Sequence, residues 1–238
     1  MRDLPIIFSA PMVRALLAGN KTQTRRVIEP YKPQPSAKSV PDDLIAGKTA
    51  VNGILAYSTS GFRPRYRVGD RLYARENFIA TWGDRFGGRG LRVEHGEVKQ
   101  KNGTVEAITP SNPIFVLYKA NSDDVPHVRW RPSIHMPRWA SRLTLVVTGV
   151  KVERLQDISP EDARDEGVER RSKLVRQMWL FGADQAGRDA IYLHACIWEY
   201  EKLWNEINGP DAWSSNPWVA AYTFTVHRCN ISEMGKQP

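Results

Sequence analysis

Two alternating stretches, SRLTLVVTGVKVERL (141–155) and WVAAYTFTVHR (218–228), constrain this chain more than any other feature. A period of two places successive side chains on opposite faces, which is the signature of long strands. The helical patterns are short and local by comparison. No rhythm of strand, long helix and strand recurs, as a doubly wound parallel sheet would require. The pattern predicts an α+β fold, a curled mixed or antiparallel sheet with a few flanking helices.

Shorter runs complete that sheet. LPIIFS (4–9) and PIFVLYKA (113–120) read as strands, and YRVGDRLYARENF (66–78) sets Leu72, Ala74 and Glu76 against Tyr73, Arg75 and Asn77. KQKNGTVEAI (99–108) reads as a hairpin turning at Asn102-Gly103. SAPMVRALLAG (9–19) reads as a helix begun by Pro11, with Met12, Val13, Leu16 and Leu17 on one face and Gly19 as its stop. ISPEDARDEGV (158–168) carries a full set of helix signals: Ser159 as cap, Pro160 as first residue, Asp162 where it can answer the cap, and Gly167 at the end. A longer helix is predicted from Gln185 to Asn208, with Ile197, Glu201, Trp204 and Ile207 along one side and Gly209-Pro210 stopping it. The last strand alternates Trp218, Ala220, Tyr222, Phe224 and Val226. Two stretches, near 31–60 and 82–110, break the pattern and read as insertions into a single domain spanning 4–228. Residues 229–238 read as a loose tail.

The chain has 238 residues, enough for a sizeable core. Thirty-four Lys and Arg against 26 Asp and Glu give a net charge of +8, which favours an anionic partner such as RNA, single-stranded DNA or a nucleotide. Only Cys196 and Cys229 occur, so no disulfide framework is expected. The five histidines form no HExxH pattern, and with two distant cysteines they predict no metal site. Walker A, GxGxxG and GxSxG patterns are absent, so no nucleotide cofactor or serine nucleophile is expected. The amino-terminal stretch MRDLPIIFSAPMV has the wrong flanks for a signal peptide, and no run approaches the roughly 20 apolar residues of a membrane span. A cytoplasmic location without membrane contact is expected; the oligomeric state is not readable.

GNKTQTRRV (19–27) concentrates Lys21, Thr24, Arg25 and Arg26 just after a predicted helix. Three readings stay open. The segment is a solvated turn, a phosphate-binding patch using Arg25, Arg26 and backbone N–H groups, or a catalytic lysine whose cationic neighbours favour the free amine. Lys21 and Thr24 face opposite ways in a flat strand and the same way if the chain bulges. Glu166 lies in the last turn of its helix, where backbone carbonyls disfavour negative charge and suit a carboxyl that donates a proton. In HVRWRPSIHMPRWASR (127–142), Trp and Arg intermingle as they do where bases stack and phosphates pair. Trp130, Trp139, Trp213 and Trp218 are candidates for stacking, although a tryptophan in a mixed sheet is more often core.

Five segments, GNKTQTRR, YRVGDRLYARENF, IHMPRWASR, VERLQDISPEDARDEGV and NPWVAAYTFTV, taken in this order, resemble the ASCH domain family, relatives of the PUA-like RNA-binding fold. The longer bacterial and phage members look most similar. The resemblance implies a small mixed β-barrel or pseudobarrel with helices beside a central cleft. A small member is an amidohydrolase that removes the acyl group from acetylcytidine; its catalytic lysine and threonine match Lys21 and Thr24, and its glutamate matches Glu166. Other members are thought to bind RNA, and one is reported to cut it. The resemblance therefore implies an amidohydrolase acting on a modified pyrimidine nucleoside or nucleotide, or an RNA-binding module. Arg25, Arg26, Arg75, Glu76, Trp139 and Trp218 are candidates for substrate binding, with Arg25 or Arg75 steadying the oxyanion. The present chain is about twice the length of the small amidohydrolase.

Overall fold

The computed structural model describes residues 1–28, 64–85, 88–94, 96–99, 104–122, 125, 128–168 and 185–235. The insertion near 31–60 and the Asn102-Gly103 turn lie outside the described residues. Ten strands and three α-helices are described, and the mixed α+β class follows. The strands are Asp3–Ile7 (β1), Gln23–Val27 (β2), Arg71–Arg75 (β3), Phe78–Trp82 (β4), Leu91–Val93 (β5), Gly96–Lys99 (β6), Val105–Ile108 (β7), Ile114–Tyr118 (β8), Thr144–Arg154 (β9) and Trp218–His227 (β10). The helices are Ala10–Leu17 (α1), Pro160–Asp165 (α2) and Gln185–Asn208 (α3).

The strands form a five-stranded sheet in the order β1-β3-β9-β10-β2, a three-stranded sheet β4-β8-β5 and the hairpin β6-β7. β1 runs parallel to β3, while β3 with β9 and β10 with β2 are antiparallel. No closed barrel occurs among the described residues. The stretch from 82 to 110, expected as an insertion holding one hairpin, contains that hairpin as β6 and β7, and also the last residue of β4 and all of β5. Val93 and Ile108 carry it inward, packing with Phe78, Ile114, Val116 and Met136.

Two compact units divide the chain, each assembled from separated segments, where one domain was expected. The first comprises Met1–Leu17, Asp70–Val146 and Val226–Pro238; the second comprises Ala18–Gly69 and Val147–Thr225. In the first, Glu76 continues the buried phase of Leu72 and Ala74, as the alternation predicts. In the second, the core gathers Leu155, Ile158, Ala163, Cys196, Tyr200, Trp204 and Val219.

The buried stripe of α3 is Cys196, Tyr200 and Trp204, spaced four residues apart. Of the predicted stripe, Trp204 is buried in it and Ile197 packs against it partly buried, while Ile207 is 47% exposed. Tyr200 replaces Glu201 on the inner side because a phenol tolerates burial where an unpaired carboxylate does not. β10 departs from simple alternation as well. Val219 through Tyr222 are buried without a break, which marks that half of the strand as covered on both faces.

Candidate active site

The second unit builds a buried charge cluster from β2, α2, β9 and α3. Helix α1 ends at Leu17, and Gly19 takes φ +77°, the left-handed stop that its sequence predicts. The chain then enters extended backbone at Lys21, whose main chain bridges Glu166 in antiparallel fashion. Thr22 reinforces the bridge by donating its N–H to the Asp165 carbonyl at 2.9 Å.

Helix α2 fixes the other half. Ser159 Oγ accepts the Asp162 N–H at 3.1 Å, and Pro160 fills the first turn. Glu166 closes the helix at φ −69° and ψ −7°, and Gly167 follows at φ +82°. This stop turns the Glu166 side chain and its carbonyl toward the same neighbour. Lys21 Nζ donates to Glu166 Oε2 and to the Glu166 carbonyl, each at 2.7 Å. The lysine side chain is 0% exposed.

Arg25 organises the remaining charges. Its Nε and Nη2 donate to Glu153 Oε1 at 3.0 and 2.7 Å, its Nη2 to Asp162 Oδ2 at 2.8 Å, and its Nη1 to Glu166 Oε1 at 3.2 Å. Nη1 also reaches Gln23 Oε1 at 2.6 Å, while Gln23 Nε2 donates to Asp162 Oδ1 at 3.2 Å. Asp162 therefore spends its carboxylate on Arg25 and Gln23, because a guanidinium binds an anion more strongly than the cap's neutral N–H. At the rim, the exposed Lys151 ammonium sits 2.6 Å from Glu153 Oε2. The Tyr200 hydroxyl donates to Glu166 Oε1 at 3.4 Å.

Burial sets the electrostatics. Desolvation lowers the proton affinity of Lys21 below its ordinary value; the Glu166 carboxylate opposes this, and Arg26 and Arg25 add to the lowering. Burial also works against the Arg25 charge, but the carboxylates of Glu166 and Glu153 outweigh it and its pKa is raised. Tyr200 is pushed well above the usual phenol value, first by burial and then by Glu166. The phenol thus stays a hydrogen-bond donor.

The structure brings Lys21, Arg25 and Glu166 together. Thr24 is buried in the alternate phase of β2, with Tyr222 as its cross-strand partner. Among the described hydrogen bonds none joins Thr24 to Lys21 or Glu166. Arg26 is half-buried opposite Ala220, near enough to Lys21 to disfavour its charge. Trp218 lies under the Arg154 guanidinium at 4.4 Å, and Trp213 meets Tyr200 edge-on at 6.1 Å.

Arg75, Glu76 and Trp139 belong to the first unit. Arg75 donates to the carbonyls of Met136 and Ile134 at 2.7 and 2.5 Å, bracing the 3-10 turn Ser133–His135 and its C-cap. Glu76 is buried and paired with Arg142 through two bonds of 2.9 and 3.0 Å. Arg75 and Glu76 therefore do not form the pair that their adjacency suggests; successive residues of a strand point to opposite faces. Half-buried Trp139 packs on the first unit's core.

Sequence reasoning passed over Glu153, Asp162, Gln23 and Tyr200 as site residues. A signal existed for two of them. Glu153 shares the buried phase of β9 that leads to Leu155, and Tyr200 lies four residues from both Cys196 and Trp204. Among the described residues no cluster of His, Cys, Asp and Glu is arranged to hold a metal ion, and no helix is long and apolar enough to cross a membrane. Trp204 is buried against Tyr200, and its indole N–H meets no acceptor among the described residues.

No protein-family model, curated protein or solved structure matches this chain.

Proposed function

We propose that this protein is an amidohydrolase that removes an acyl group from the exocyclic amine of a modified pyrimidine nucleoside or nucleotide, built on a PUA-like ASCH pseudobarrel. The observation that carries the reading is the buried Lys21–Glu166 hydrogen bond of 2.7 Å. Moving one proton across it converts the ion pair into a free amine and a carboxylic acid, a base and an acid side by side. Desolvation favours the free amine of Lys21 in that exchange.

The chemistry then balances. The Lys21 amine takes a proton from water as its oxygen adds to the acyl carbonyl. The Glu166 carboxylic acid gives its proton to the exocyclic nitrogen as the C–N bond breaks. A carboxylic acid and the free pyrimidine amine leave, and the ammonium–carboxylate pair of the resting structure is restored. Thr24 is retained as the hydroxyl that orients the water, a role that requires it to approach Lys21 from its place opposite Tyr222. Arg25, engaged by three carboxylates, orients Glu166 and is not available as the oxyanion donor.

Release of acetate from acetylcytidine and a small panel of acylated cytosine nucleosides and nucleotides tests this. Lys21→Ala and Glu166→Gln are each expected to lower the rate at least about 100-fold. Thr24→Ser is expected to keep more activity than Thr24→Val, which isolates the hydroxyl. Folded variants of Lys21 and Glu166 with full activity would remove the mechanism. The net charge of +8 favours a second reading, binding of RNA or single-stranded DNA without hydrolysis. Salt-sensitive binding by a protein inactive on the whole panel would select it.

A further inference from the structure

Three sequence features take no part in the hydrolysis: the Trp- and Arg-rich stretch 127–142, the strands formed within 82–110, and the residues after 228. All three converge on one place in the first unit. A cavity of about 450 Å³ is lined by Leu91, Arg92 and Val93 of β5, by Trp139 and Arg142, and by Arg228 and Asn230 beyond β10. A second, of about 550 Å³, adjoins it and shares Leu91, Tyr118 and Arg142 while adding Arg89, Asn121 and Ser122. Each has the size of a pocket for one small ligand.

The expected tail is structured enough to form a wall. Buried Asn230 donates to the carbonyls of Arg138, Trp139 and Ser141 at 3.0, 3.2 and 2.7 Å. Arg228 donates to the Leu17 carbonyl. Gly96 fixes Trp139 from another side; at φ +123° it sits so close that a Cβ would lie 2.7 Å from Trp139 Cβ. The shared floor is rigid too. Arg142 lies 4.0 Å over the Tyr118 ring, and the Tyr118 hydroxyl donates to the Ala140 carbonyl at 2.8 Å.

The lining chemistry has two parts. Four guanidiniums, those of Arg89, Arg92, Arg142 and Arg228, face two carboxylates, Glu94 and Glu233. Arg92 pairs with Glu94 at 3.0 Å, and Arg142 is balanced by Glu76 beneath it. Exposed Arg228 lines the first cavity and exposed Arg89 the second, so each cavity has a guanidinium within reach of solvent. The Trp139 indole lines the first cavity, and Leu91, which is 48% exposed, lines both. Guanidiniums flanking an aromatic and apolar wall match a ligand with a phosphate and a planar body.

We infer that this cleft is a binding site for a nucleoside phosphate, separate from the Lys21–Glu166 cluster. The phosphate lies against Arg89 or Arg228 and the base against Trp139. A free mononucleotide and a residue within a single strand present the same chemistry.

Indole N–H resonances of the ¹⁵N-labelled full chain, with Trp139 identified through Trp139→Phe, test the site. Adenosine 5′-monophosphate and a short oligodeoxythymidylate are titrated separately at low salt. Neither probe carries an acyl group, so the outcome stands apart from the hydrolysis assay. A saturable shift of the Trp139 resonance is expected, weakened about tenfold or more by Arg89→Gln with Arg228→Gln, two exposed positions whose exchange leaves the core intact. A shift with the mononucleotide identifies a free ligand; a shift with the oligonucleotide alone identifies a strand. No shift with either probe at millimolar concentration, or a shift unchanged in the double variant, would overturn the inference.

Discussion

Lys21 reaches Glu166 three times over: through a main-chain bridge, through its ammonium on the Glu166 carbonyl, and through the same ammonium on the carboxylate. The main-chain bridge sets the two residues side by side, and the ammonium closes the gap between their side chains. Reaction groups that need no rearrangement before proton transfer are what catalysis by positioned acids and bases requires.

The proton affinity of Lys21 is the first consequence. Its folded pKa is lowered from 10.5, chiefly by burial. The unfolded chain then binds the proton more readily, so Lys21 costs no stability above 10.5 and progressively more as pH falls toward the folded value. Heteronuclear NMR of the lysine side chains should find one ammonium titrating below the others. A Lys21 midpoint at or above the ordinary value would contradict the placement of this amine in a dry site.

Removing one partner should be worse than removing both. Lys21→Met leaves a buried carboxylate with only the Arg25 guanidinium and the Tyr200 hydroxyl at Oε1 and is expected to cost about 3–5 kcal/mol in urea unfolding. Lys21→Met with Glu166→Leu should recover a large part of that loss. Additive costs would show that the two side chains do not depend on one another.

Arg25→Lys is expected to be nearly as damaging as Arg25→Met. One ammonium cannot serve Glu153, Asp162 and Glu166 from the directions that the guanidinium fork reaches. Thermal unfolding of the two variants decides this, and a near-native melting temperature for Arg25→Lys would show that charge alone suffices.

Much of this was legible in the residues, and the omissions share a cause. The α2 signals at Ser159, Pro160 and Gly167 are local and appear as read. So do the positions of β9 and β10 in the chain and the stop at Gly19. What local pattern does not carry is which distant charge a side chain meets. Arg25 was read as an anion binder for substrate, yet three carboxylates from β9 and α2 occupy it, 128 to 141 residues along the chain. The one-residue rotation of the α3 stripe has the same origin: only the position of Glu166 shows why Tyr200 faces inward. The alternation places Arg75 and Glu76 on opposite faces, but it does not show that their partners are the carbonyls of Ile134 and Met136 and the Arg142 guanidinium.

Glu76 gives a pH test in the first unit. Burial raises its pKa, and the Arg142 hydrogen bond and charge oppose the rise. A raised carboxyl stabilises the fold fully below its unfolded value, 4.5, and loses that contribution as pH climbs through the folded value. Glu76→Gln should therefore flatten the fall of stability across that window in denaturant titrations. An unchanged slope would mean that the Glu76 carboxyl keeps the same proton affinity folded and unfolded.

The Trp204 indole has a use that its energetics conceal. An N–H held away from any acceptor, among apolar neighbours, has no polar environment to relax around its excited state. Its fluorescence should lie at the short-wavelength edge of the spectrum given by the eight tryptophans. Trp204 meets Tyr200, and Tyr200 donates to Glu166, so a solvent-coupled red shift of that one component would announce water arriving at the back of the charge cluster. The protein carries its own optical gauge of whether that interior stays dry.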